Sequence, residues 1–445
     1  MIEKQKIFDM AGSLIKASPA DDTEVYFREG DYHLTRFANN TIHQNVSLTD
    51  ATVLIRVAFG RKVGVASSNR LEDAKRALDE ACGIARVSAD STTYAGLPRP
   101  ETPREVNAFD EATAGCDAMS RAERVKNVVD EAKRAGAVAA GALSTSSDQT
   151  AVVNSKGIVV HHRGTETRLN VVMMKGGGSG TAERMGWKLS NIDERAAARH
   201  VADRTVKTDR PQDIEPGEYA VVLEPEAVGV LMRFLAYAGL NGKACHEKQS
   251  FMSGKLGQEV TGRLITVTDD GLDPSGIPIP SASKGMGMPK RKVVFIERGV
   301  ATGMCYDTST AAAEHTQSTG HALTSNQSFG PIPMNLFLAP GDSSLERMIA
   351  STTKGLLVSK FHYANIAEPM KVVVTGMTRF GLFLVRDGKI AHPVKNMRFT
   401  QNVLEAFESA SALTAERQMM EGLGGAMLVP GMKCESFRFT GKTEF

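Results

Sequence analysis

The feature that most constrains this chain is an order of apolar periodicities that occurs twice before about residue 213 and then gives way to a different texture. From Glu3 to Lys16, Ile7, Met10, Ala11, Leu14 and Ile15 recur at three- and four-residue spacing, which predicts one buried helix face. Ser18-Pro19 stops that helix. Val25, Phe27, Leu34, Phe37, Ile42, Val53, Ile55 and Val57 then read as short strands, broken at Gly30-Asp31 and Asn39-Asn40. Gly60-Arg61-Lys62 turns the chain into Val63–Ala66. A helix with Leu71, Ala74, Leu78, Ala81 and Ala85 on one face closes the unit. After the proline-containing linker Leu97–Pro103 the order returns: a helix from Ser120 to Arg134, strands around Ala151–Val153, Ile158–His162 and Arg168–Met174, and a helix from Asp193 to Val206. Asn69-Arg70-Leu71-Glu72 and Asn191-Ile192-Asp193-Glu194 stand at equivalent joints, where Asn or Asp can cap a helix start. Two related α-β-β-β-α units are expected.

Beyond Gly217 the chain becomes rich in short strands: Tyr219–Leu223, Leu264–Val267, Val293–Ile296, Lys371–Val374 and Leu382–Val385. Arg298-Gly299 and Asp387-Gly388 are hairpin turns, and Ser343 with Glu346 predicts a capping box ahead of a short helix. The expected fold class is α+β, with a β-rich C-terminal domain. The expected boundaries are residues 1–100, 101–213 and 214–445. Several domains also suit 445 residues, because single cores stop growing near about 250–300.

Charge and apolar run length narrow the function. Lys plus Arg number 53 against 51 Asp plus Glu, so a net charge of +2 supplies no field for a phosphate backbone. No apolar run approaches the roughly 20 residues of a membrane helix, and Met1–Lys16 lacks a signal-peptide core. The expectation is a cytoplasmic chain with neither nucleic acid nor membrane as direct partner. Cys82, Cys116, Cys245, Cys305 and Cys434 form no CxxC pair and read as small buried hydrophobes. Lys175–Gly180 fits neither phosphate-loop pattern and reads as a hairpin end, while Ser179 fails the nucleophile-elbow pattern because position 181 is Thr. His246-Glu247 lacks the second histidine of a zinc helix, and His315 and His321 do not share a helix face. They read as hydrogen-bonded loop residues.

The most informative segment is Val221–Arg233, Val-Val-Leu-Glu-Pro-Glu-Ala-Val-Gly-Val-Leu-Met-Arg. With Arg36–Asn40, Asn154–Gly157, Ser250–Gly257, Ile296–Gly299 and Ser318–Gly320, in that family's order and spacing, the chain resembles the TldD/PmbA family from about residue 20 to its end. The resemblance implies three domains and a heterodimeric zinc metalloprotease system with an older association with DNA gyrase. In that system the TldD-type chain carries H-E-x-x-x-H and the TldE (PmbA) type does not. At the matching place this chain reads Pro225-Glu226-Ala227-Val228-Gly229-Val230. Proline has no side-chain donor atom and valine only methyl groups, so Pro225 and Val230 cannot replace two imidazoles around Glu226. Cys434 does not match the family's metal-binding cysteine. Proline does suit the first turn of a helix, and Glu226 suits its N-terminus.

The resemblance therefore implies a TldE-like, non-catalytic subunit with no catalytic residue and no metal of its own. Zinc is expected in a TldD-type partner, and extended or unfolded peptide is the expected substrate. Assembly is expected through the C-terminal domain, with that partner or with a second copy. The alternative is a stand-alone homodimeric protein that binds a peptide or small ligand without hydrolysis.

Overall fold

A computed structural model describes residues 1–281, 287–323 and 329–443. Both α-β-β-β-α units are present. The first comprises α1 (Lys4–Ala17), β1 (Asp22–Ala38), β2 (Thr41–Phe59), β3 (Lys62–Ser68) and α2 (Ala74–Val87). The second follows a single turn of helix, α3 (Glu111–Ala114), and comprises α4 (Ala118–Arg134), β4 (Val138–Asn154), β5 (Val159–Lys175), β6 (Gly178–Gly186) and α5 (Glu194–Lys207). Asp193 caps α5 by accepting the Ala196 N–H, as the joint sequence predicts, but at the first joint neither the 3-10 turn Leu71–Asp73 nor α2 receives a side-chain cap.

The strands are longer than the sequence reading. β1 runs unbroken through Gly30-Asp31, because Gly30 is held in register by Asp50 on one side and Asp148 on the other. Ile158–His162 and Arg168–Met174 belong to one strand, β5, apart from Ile158 in the turn before it. The third strand of the second unit is β6, which begins inside the glycine run read as a hairpin end. Only Gly176-Gly177 of that run turns the chain. Pairing on both sides carries β1 through Gly30-Asp31, whereas Asn39-Asn40 does turn the chain.

The six strands form one antiparallel sheet in the order β3-β2-β1-β4-β5-β6, so the two units join through their first strands. Odd-numbered positions of β1, such as Val25 and Phe27, face α1 and α2 together with Val53 and Ile55. Val125, Val128 and Val201 of α4 and α5 cover Leu143, Leu169 and Val171 on the same side. The other side takes the C-terminal domain: Tyr26, Val152 and Ile158 bury Met288. A glycine device occurs in both units. A Cβ on Gly64 of β3 would lie 2.1 Å from the Ala81 carbonyl oxygen of α2, and one on Gly178 of β6 would lie 2.1 Å from that of Thr205 in α5. Each closing helix thus rests directly on the last strand of its unit.

The C-terminal part comprises β7 (Gly217–Leu223), α6 (Pro225–Gly239), α7 (Gly242–His246), β8 (Val267–Asp269), β9 (Val293–Glu297), β10 (Val300–Ala301), α8 (Thr308–Ala313), β11 (Asn335–Leu338), α9 (Leu345–Ala350), β12 (Lys354–Glu368), β13 (Val373–Arg386), β14 (Lys389–Pro393), β15 (Met397–Asn402), α10 (Val403–Glu408), β16 (Ala410–Glu421) and β17 (Ala426–Lys442). The pairings β7–β12–β13–β15–β17–β7 close on themselves. Phe361, Phe399 and Phe437 from three of these strands meet with ring centroids 4.5–5.6 Å apart, fully buried. Both expected hairpin turns occur, with Arg298-Gly299 and Asp387-Gly388 at positive φ. Three readings need correction. Leu264–Thr266 precede the strand, Lys371–Val374 and Leu382–Val385 share β13 apart from Lys371 and Val372, and Ser344 rather than Ser343 caps α9. Ser343 lies one residue too early for its hydroxyl to reach the Arg347 N–H.

Gly64→Ala should cost about 1–3 kcal/mol, because the added methyl must push α2 off β3. Thermal or urea unfolding of the purified chain measures this, and an unchanged midpoint would contradict the close contact.

Candidate functional site

The segment that carried the resemblance folds as strand, cap and helix. β7 delivers Glu224 as the N-cap of α6, Pro225 occupies the first helical position, and Glu226 follows. Val230, half-buried, packs against the C-terminal core. The helix descends onto β16: a Cβ on Gly229 would stand 3.2 Å from Met420 Cγ. The start of α6 opens into a cavity of about 640 Å³ between the second unit and the C-terminal part, lined among others by Thr181, Arg184, His200 and Ser344.

Glu226 is 8 % exposed, and its charge is met from two elements. Its Oε1 accepts the Glu183 backbone N–H at 2.9 Å and lies 3.4 Å from Arg184 Nη1, both on β6. Its Oε2 lies 3.3 Å from Lys360 Nζ on β12, and the same ammonium stands 3.4 Å from Glu183 Oε2. Gln418 of β16 donates to the Glu183 carbonyl at 3.0 Å. Beside this cluster Arg204 of α5 is ion-paired with Glu224, with its guanidinium over the Phe383 ring at 5.1 Å. Carboxylates withdrawn from water need such cationic and N–H partners, which reach Glu226 from β6 and β12 and Glu224 from α5. His200 faces the same cavity. Desolvation, aided by Arg204 and Arg184, holds its imidazole below the usual range against the pull of Glu224 and Glu226.

Pro225 and Glu226 therefore stand together at the cavity, whereas Val230 is one turn further along α6. Zinc, which the resemblance implies for a TldD-type chain, has no fit at this place. One candidate position lacks a donor atom, another presents methyl groups to a packed core, and the one carboxylate is already engaged with Lys360 and the Glu183 N–H. Among the described residues no group of three or more His, Cys, Asp or Glu side chains is gathered closely enough to hold a metal. Cys434 is fully buried in β17, where it pairs with Val221, and burial pushes its thiol up to about 12. Four of the five cysteines are buried and Cys245 is partly so.

The other candidates are structural. His246 is exposed and paired with Glu314. His321 is fully buried, its Nε2 3.0 Å from Asp269 Oδ1, and Asp269 Oδ2 accepts the backbone N–H groups of Met334 and Asn335 at 2.6 and 2.8 Å. The Asn154 side chain closes the β4–β5 turn by accepting the N–H groups of Lys156 and Ile158. The matched segments outside α6 thus include turns and buried ties. Sequence reasoning missed Glu183, Arg184, Lys360 and Arg204, which lie far apart in the chain. Arg204 alone carried a signal, since it continues the spacing of Ala197, Val201 and Thr205 on the core face of α5.

The architecture is that of solved three-domain proteins. The chain superposes on TldE from Thermococcus kodakarensis with a TM-score of 0.88 at 21 % identity, covering 98 % of this chain and 99 % of that one. It superposes on a putative modulator of a DNA gyrase from Thermotoga maritima with a TM-score of 0.88 at 17 % identity, covering 98 % and 100 %. In sequence it is 23 % identical over 430 residues to the metalloprotease TldD homolog of Buchnera aphidicola (subsp. Acyrthosiphon pisum), spanning 91 % of this chain and 87 % of that protein. Family models match residues 23–85 as PmbA/TldA metallopeptidase domain 1, 97–208 as the central domain and 216–441 as the C-terminal domain. The chain belongs to the PmbA/TldD metallopeptidase family.

Lys360→Met should destabilise the chain by about 1–3 kcal/mol, because Glu226 and Glu183 lose the ammonium between them. That cost should shrink by about 1 kcal/mol in a Glu226→Gln background, and a double-mutant unfolding cycle reads the difference. Strict additivity would show that the ion pair contributes nothing.

Proposed function

We propose that this chain is the TldE-like, non-catalytic subunit of a TldD/TldE-type zinc metalloprotease acting on unfolded or extended peptides in the cytoplasm. The observation that carries the reading is the first turn of α6. Pro225 and Val230 bring no donor to it, and Glu226 is committed to Lys360 and to the Glu183 N–H. A zinc peptidase glutamate acts as general base on a water that the metal has already acidified. Without that metal the proton is about nine pKa units harder to remove, beyond the reach of an ordinary carboxylate. Glu226 instead serves as a charge at the helix N-terminus that holds β6 and β12 together. The cavity beside it, with Asp342, Glu346, Arg347 and Glu416 exposed at its edge, then contributes wall rather than chemistry.

In this reading the zinc and the hydrolytic glutamate belong to a TldD-type partner, and the two chains meet through their C-terminal domains. The division into residues 1–100, 101–213 and 214–445 belongs to the same reading. Among the described residues no helix is long and apolar enough to cross a membrane.

Two measurements test it. The isolated chain should carry no stoichiometric zinc by elemental analysis, and one tightly held zinc lost on mutation of Glu226 would overturn the reading. In a complex reconstituted with a TldD-type chain, Glu226→Gln should leave activity within about threefold, or roughly 0.7 kcal/mol of barrier. The same change in the partner's H-E-x-x-x-H should abolish activity. A hundredfold loss from Glu226→Gln with assembly intact would place an active site in this chain.

A further inference from the structure

A second cavity, of about 440 Å³, lies between the helix-free face of the six-stranded sheet and the C-terminal domain. Its floor is the part of β1, β4 and β5 where Arg28, Thr150 and His162 stand in one cross-strand row and Gly30, Asp148 and Gly164 in the next. Tyr26 and Thr150 line it at 6 % and 5 % exposure, and among the described residues neither hydroxyl has a hydrogen-bond partner. A hydroxyl withdrawn from water is costly unless something bonds it, so both require a partner that the chain does not supply. Burial pushes the Tyr26 phenol up to about 12 and the His162 imidazole down to about 4, so both rings stay neutral near pH 7. They offer donors and acceptors rather than charge.

At one end Arg168 is ion-paired with Glu166 and, at 2.7 Å, with Glu421, and this trio closes on itself. Outside it the charged lining is Arg28 and Asp148, one of each sign. They are diagonal neighbours on β1 and β4, because Asp148 lies two residues from Thr150, the partner of Arg28. Such neighbours stand about 7–8 Å apart, about the span of two extended residues. The glycines leave room beside Asp148. Neither Gly30 nor Gly164 is at positive φ, and a Cβ on either would meet nothing nearer than 3.4 Å. Neither backbone conformation nor close packing requires glycine there, and an unfilled strand interior suits the close approach of another backbone. Half-buried Ile277 and Ile279 give the same space an apolar roof.

We propose that this cavity binds a short zwitterionic peptide, about two residues long, with its carboxylate on Arg28, its ammonium on Asp148 and its amide between the Tyr26 and Thr150 hydroxyls. Each part of that ligand follows from the lining. A phosphate is repelled by Asp148 and a polyamine by Arg28, whereas a zwitterion satisfies both. The unmet hydroxyls require a neutral polar group between the two charges, which a peptide amide supplies as both donor and acceptor. An apolar side chain on the ligand then packs under Ile277 and Ile279. The site shares no lining residue with the cavity at the start of α6. Binding stands on these contacts alone. Only its role, the retention of short products released by a TldD-type partner, rests on the proposed function.

Calorimetric titration of the purified full chain with the dipeptide Ala-Leu tests this. A Kd of about 1 mM or tighter is expected for a ligand of this size. Acetylating the dipeptide's amine, or amidating its carboxyl, should each weaken binding by about tenfold or more, since each removes one charge-assisted contact. Arg28→Gln should do the same, and Tyr26→Phe, which keeps the packed ring, should weaken binding by about three- to tenfold. Gly164→Ala should weaken it by filling the space beside Asp148, with the unfolding midpoint unchanged. Absence of binding up to about 10 mM Ala-Leu would overturn the proposal and leave the two hydroxyls to water. So would end-blocked dipeptide that binds as well as Ala-Leu. Binding lost with Lys360→Met but unaltered by Arg28→Gln and Tyr26→Phe would also overturn it, by moving the ligand to the α6 cavity. Zinc content and the activity of a reconstituted complex are read separately, so failure here leaves the proposed function standing.

Discussion

The antiparallel ladder between β1 and β4 is the contact on which the rest of the arrangement depends. It runs from Glu24–Asn154 to Phe37–Gly141 and joins two units that would otherwise be separate three-stranded sheets. Because the units meet through their first strands, both pairs of flanking helices fall on one side. The opposite side is left as one broad face, and the C-terminal domain settles on part of it. There Gly287 approaches so closely that a Cβ would lie 2.7 Å from Ile158 Cγ2. The same joint puts α5 and β6 at the far end of the sheet, where Arg204, Glu183 and Arg184 can reach the start of α6.

That reach sets the character of the cavity. Glu224 and Glu226 sit side by side at a helix N-terminus, largely out of water, a placement that is costly unless cations and N–H donors are already in position. Arg204, Lys360 and the Glu183 amide fill that requirement from three elements. The cluster therefore ties the second unit to the C-terminal domain through ion pairs between opposite charges. The proposed role in a two-chain protease rests on the first turn of α6, where Pro225 and Val230 bring no donor atom and Glu226 already faces Lys360 and the Glu183 N–H.

The fold class and the duplicated units were legible because helical periodicity survives in a single chain. Ile7, Ala11 and Leu14 mark α1 as plainly in sequence as in the structure, where all three are buried. Strand length was not legible. Gly30-Asp31 resembles a break when read alone, and it is strand because β2 and β4 pair with it on both sides. Gly178 looked like a turn residue for a related reason. Its lack of a side chain serves the close approach of α5, a requirement that exists only once the helix is packed.

At the site the division has the same physical origin. The sequence by itself determined the donor chemistry at α6: Pro225 and Val230 offer no ligand atom in any fold, and proline ahead of an apolar run marks a helix start. Only the tertiary structure decided what became of Glu226, because Lys360 lies 134 residues from it and Glu183 lies 43 away on another sheet. Coulomb attraction and hydrogen bonding act over a few ångströms and carry no trace in sequence separation, so partners of a buried charge become identifiable only when the chain has brought them together.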